Sequence, residues 1–105
     1  MDGKLTIYGQ EKLEPDVRDS ALAAAHDVLS REGVSPREAV QAASVDLLLA
    51  EGLAPDERTD EHFREHGATL QALEAHDAAK DAAAAAVARL DPANTGFAVL
   101  LSVAS

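Results

Sequence analysis

The chain has 105 residues, a formal net charge of −10, no cysteine, and a hydrophobic content of 47% that is dominated by alanine, with aromatics at only 3%. That length makes one domain, residues 1–105, able to fold without covalent staples, and the missing thiols exclude disulfide and thiolate chemistry and fit a reducing compartment. The acidity works against nonspecific binding to nucleic acid or anionic membrane, because both need Lys and Arg to replace counterions.

Lys4-Leu5-Thr6-Ile7-Tyr8 alternates polar and apolar residues before Gly9, the pattern of a short half-buried strand. Met1-Asp2-Gly3-Lys4 leads into no apolar run and nothing later is long enough to span a bilayer, so the expected setting is the cytoplasm. Pro15 opens a predicted helix that runs to about Glu32, with Val17, Ala21, Ala24, Ala25, Val28 and Leu29 on one face. Gly33 then sits where a helix end needs a left-handed residue, and Leu29 and Val34 are placed for the apolar contact of a Schellman stop.

A second helix starts at once, with Ser35 as N-cap, Pro36 at the first helical position and Glu38 completing a capping box. Leu48, Glu51, Gly52 and Pro55 echo the same punctuation nineteen residues on, which ends this helix near Glu51. Val40, Ala43, Leu47 and Leu48 form its expected core stripe, while Val45 and Leu49 lie well round from it. The helix is therefore apolar over more than half its girth, and Val45 and Leu49 are expected to meet a second chain.

A long helical region is predicted from about Thr59 to Leu90, with Gly67 permitting close backbone approach and a kink or break at His76-Asp77. Ala82 to Ala86 suits tight helix packing and offers no grip for a cofactor. Asp91-Pro92 and Asn94-Thr95-Gly96 turn the chain into the tail, where Phe97, Val99, Leu101 and Val103 share one strand face. So apolar an end needs cover, from the first strand or from a neighbouring subunit.

His62-Phe63-Arg64-Glu65-His66 spells H-x-x-E-H, the string that resembles the zinc motif of the inverzincin metalloproteases. Two imidazoles at i and i+4 share a helix face and Glu65 is placed to polarise a bound water, but a third ligand is needed and Glu74 is a poor candidate. Solvated histidines are the expected reading. No nucleophile triad, phosphate loop or paired-carboxylate constellation stands out, so neither cofactor nor metal nor enzymatic activity is expected.

The order strand, helix, Glu32-Gly33-Val34-Ser35-Pro36, helix, with Val28-Leu29 before it and Glu38-Ala39-Val40 after, resembles the ribbon-helix-helix repressors and the antitoxins built on them. That resemblance implies a dimeric ribbon pointing Lys4, Thr6 and Tyr8 into the major groove, with the later helix and tail seizing a toxin. A further alternative makes the segment from Phe97 to Ser105 an apolar peptide offered to a partner or a modifying enzyme. The residues themselves point first to a mainly α (α+β) domain of three to four helices with a short strand at each terminus. It is expected to act as a small non-enzymatic interaction or regulatory module, self-associating, with a protein partner that the net charge would make basic. Its expected contact residues are Val45, Leu49, Phe97, Val99, Leu101 and Val103.

Overall fold

Residues 4–94 and 97–104 are described by a computed structural model of the chain. Alternation at the start builds strand β1, Lys4–Ile7, which buries Leu5 and Ile7 and turns Lys4 and Thr6 outward. It pairs antiparallel with β2, Leu101–Ala104, setting Leu5 opposite Val103 and Ile7 opposite Leu101. Tyr8 N–H extends the ladder by donating to Leu100 O at 2.8 Å. The Ile7 N–H points off the free edge of β1 and is taken by Gln10 Oε1 at 3.0 Å, from a 3-10 turn over Gln10–Lys12.

Pro15 at the first turn starts α1, Pro15–Glu32, and Gly33 stops it at φ 68°, with Val34 N–H donating to Leu29 O at 3.0 Å. Helix α2, Pro36–Leu49, has the full capping box: Ser35 Oγ accepts from Glu38 N–H and Glu38 Oε1 accepts from Ser35 N–H, both at 3.2 Å. Its end departs from the echo expected at Gly52. That glycine has no positive φ, α2 finishes at Leu49 rather than Glu51, and Pro55–Glu57 forms only a 3-10 turn.

The true counterpart of Gly33-Val34-Ser35 is Gly67-Ala68-Thr69, again a left-handed glycine, a small apolar residue and a hydroxyl cap. Gly67 has φ 76°, Ala68 N–H reaches back to Phe63 O at 2.9 Å, and Thr69 Oγ1 accepts from Ala72 N–H at 3.1 Å. The predicted long helical region therefore divides here, into α3, Asp60–Glu65, and α4, Leu70–Leu90. There is no break at His76-Asp77. The Asp77 carboxylate faces the His76 imidazole, Nδ1 to Oδ1 3.0 Å, instead of capping a new helix.

Helices α1 and α4 share the most extensive helix contact, and alanines make it: Ala21 and Ala25 from one side and Ala79 and Ala83 from the other are fully enclosed. Side chains this small let helix axes approach toward the short end of the usual 8–10 Å range. Helix α2 lies against α4 with Ala39 and Ala42 fully enclosed, while both α1 and α2 support the sheet. Phe63 is the largest side chain wholly inside, and the buried apolar residues form one cluster.

Expected and observed orientation of α2 differ. The stripe placed inside is Ala39, Ala42, Val45 and Leu49, not Val40, Ala43, Leu47 and Leu48. Leu47 and Leu48 are exposed. The inner face of α2 carries the small, fully enclosed Ala39 and Ala42, which suit a close approach to α4. Leucines at that crossing would hold the helices apart.

Candidate functional site

The wide apolar girth of α2 is present, and its outer half lines a groove. Val40, Ala43, Ser44 and Leu47 fall at i, i+3, i+4 and i+7 on one face and form one wall of a hollow of about 400 Å³. Leu73, His76, Asp77 and Lys80 of α4 and Tyr8, Leu100, Leu101 and Ser102 of the sheet complete it. Among the described residues, five large apolar side chains are exposed, and three of them, Tyr8 at 74%, Leu47 at 73% and Leu100 at 57%, converge on this groove. Leu48 and Leu90, the other two, do not line it.

Polar groups at the groove are mostly spoken for. Asp46 is bridged to Arg58 Nη1 at 2.8 Å, which also ties the connector after α2 to the helix. His76 is buried and its Nδ1 faces Asp77. Ser44 Oγ donates back to Val40 O at 3.1 Å. What remains is an apolar hollow with a few fixed polar groups, the composition of a docking surface.

The residues expected to meet a partner land elsewhere. Val45, Leu49 and Leu101 are buried in the core, and Leu101 also borders the hollow. Phe97, Val99 and Val103 are half-buried, and Phe97 and Val99 pack against the core. Leu47 and Leu100, each one or two residues away, are the exposed members of these elements. Tyr8, which the ribbon-helix-helix resemblance turned outward with Lys4 and Thr6, is exposed on the outer face, as the alternation that buries Leu5 and Ile7 requires.

The H-x-x-E-H string does not form a shared helix face. Helix α3 ends at Glu65, His66 is its capping residue at φ −107°, and His62 Nδ1 accepts from Thr59 N–H at 3.3 Å and lies 3.0 Å from Thr59 Oγ1. Glu74 is exposed on α4, and among the described residues no three His, Asp or Glu side chains gather at metal-binding distances. The ribbon-helix-helix expectation required β1 to pair with its copy in a second chain. Here β1 pairs with β2 of the same chain, although Lys4, Thr6 and Tyr8 do share the outer face of that ribbon. Pairing with β1 also makes the tail the closing strand over Leu101–Ala104.

Fold and groove together define a small α+β domain of four helices closed by a two-stranded sheet, in which no described helix is long and apolar enough to cross a membrane. No protein-family model matches the chain, and no curated protein or solved structure matches it either.

Proposed function

We propose that the chain is a non-enzymatic, self-associating interaction module of the cytoplasm, regulatory in effect, that works by docking protein surfaces against the groove between α2, α4 and the sheet. The observation that carries this reading is the convergence of Tyr8, Leu47 and Leu100 on one hollow of a chain that has few other large apolar groups outside. Covering a leucine or an aromatic ring is worth about 1.5–3 kcal/mol each, so three together supply the centre of an interface. The net charge of −10 favours basic surfaces among its partners and speeds encounter with them.

A photo-crosslinking residue placed at Leu47, with Ala23 on the exposed side of α1 as control, tests this in the native host. Adducts at Leu47 and none at Ala23 are expected. Equal labelling at both positions, or none at Leu47, contradicts it.

A further inference from the structure

We infer that the occupant of this groove is a second copy of the chain, related by a two-fold axis that runs beside β2; the inference rests on the docking reading above and names its partner. Three observations meet there. The first is charge. Among the described residues lining this hollow and the smaller one beside it, at Arg37, Val40, Gln41, Ser102 and Val103, the charged side chains are Arg37 and Lys80 against Asp46 and Asp77. The outer face of the sheet adds only Lys4. In a chain of net charge −10 this is a surface without acidic excess, one that a like-charged copy can approach without carboxylate facing carboxylate.

The second observation is the edge of β2 that faces away from β1, accessible at the half-buried Ser102 and Val103 beside the smaller hollow, with Leu101 buried behind them. Tyr8 and Leu100 form a hydrogen-bonded pair, so by the antiparallel alternation the N–H and C=O of Leu101 and Val103 point away from β1. On β1 the matching Ile7 N–H is taken by Gln10, whereas no backbone partner is found for Leu101 or Val103 N–H among the described residues. The third is the absence of guards. From Phe97 to Ser105 the sequence has no charge and no proline, the devices that keep an edge strand from pairing. A two-fold beside Ser102 brings each edge to its own copy, an isologous contact in which Leu47 and Leu100 of both chains are covered together.

Sedimentation of the purified chain tests the inference. The mass is expected to rise with concentration from 11.0 kDa toward twice that value, and to do so at lower protein concentration in higher salt, which screens the repulsion between the two acidic bodies. Leu47→Glu is expected to hold the mass at 11.0 kDa and to melt at the temperature of the wild type measured in dilute, monomeric solution. Because the chain has no cysteine, Ser102→Cys gives one thiol beside the axis, and mild oxidation should convert it to a linked dimer while Ala23→Cys stays single. A mass of 11.0 kDa at every concentration and salt, a dimer that survives Leu47→Glu, or equal linkage at both cysteines overturns the inference. If the chain is monomeric yet Leu47 is cross-linked to a different protein in the host, the docking reading stands and only the second copy falls; if Leu47 gives no adduct, both fall.

Discussion

Two regions of the molecule handle their apolar residues in opposite ways. Along the seam of α1 and α4 the chain spends alanines and leaves them no contact with water, whereas across α2 and the sheet it leaves Leu47, Leu100 and Tyr8 largely exposed. The difference teaches that burial here follows fit rather than hydrophobicity. A helix lined by Ala72, Ala75, Ala79 and Ala83 accepts a neighbour at short range, so small residues take that seam, while bulky ones such as Phe63, Ile7 and Leu29 are buried elsewhere and Leu47 and Leu48 stay outside.

The sharpest way to break that contrast lies within α2. Leu49→Ala is expected to cost about 2–5 kcal/mol in denaturant unfolding, while Leu47→Ala, two residues away, stays within about 0.5 kcal/mol in the monomer. Comparable losses, or the reverse order, would show that the helix faces the other way. In the seam, Ala79→Leu adds bulk where there is no room and should destabilise by about 1–3 kcal/mol, although leucine is the more hydrophobic residue. A stabilised variant would remove the argument from fit.

Helix punctuation gives smaller effects. Gly67→Ala places a side chain at φ 76° and its Cβ 3.2 Å from Gln41 Nε2, and should cost about 1–2 kcal/mol; Gly52→Ala, with neither constraint, should change stability by less than about 0.5 kcal/mol. Ser35→Ala removes the bond to Glu38 N–H at the start of α2 and should cost about 1 kcal/mol by thermal melting.

Much of this architecture was legible in the residues because its signals are local. The capping box at Ser35 and the stop at Gly33 depend on neighbours within one turn, and the alternation of β1 reads directly. Gly67-Ala68-Thr69 carries the same local signal as Gly33-Val34-Ser35 and could have been found by matching the triplet rather than the spacing. The turning of α2 could not. With apolar residues over more than half its circumference, either stripe can be the inner one, and the choice rests on packing against α4 and the sheet, which are remote in sequence. The groove inherits that ambiguity: Val45 and Leu49, expected on the outer side of α2, are buried, and Leu47, expected inside, lines the groove.

Methyl NMR with a soluble paramagnetic agent reads this assignment directly. In dilute solution the Leu47 and Leu100 methyls should broaden strongly while those of Val45 and Leu49 stay sharp. At high concentration Leu47 and Leu100 should become protected while Leu48 and Leu90, outside the groove, remain broadened. Broadening of Leu49 with a sharp Leu47, or four exposed leucines that respond alike at every concentration, would contradict the account.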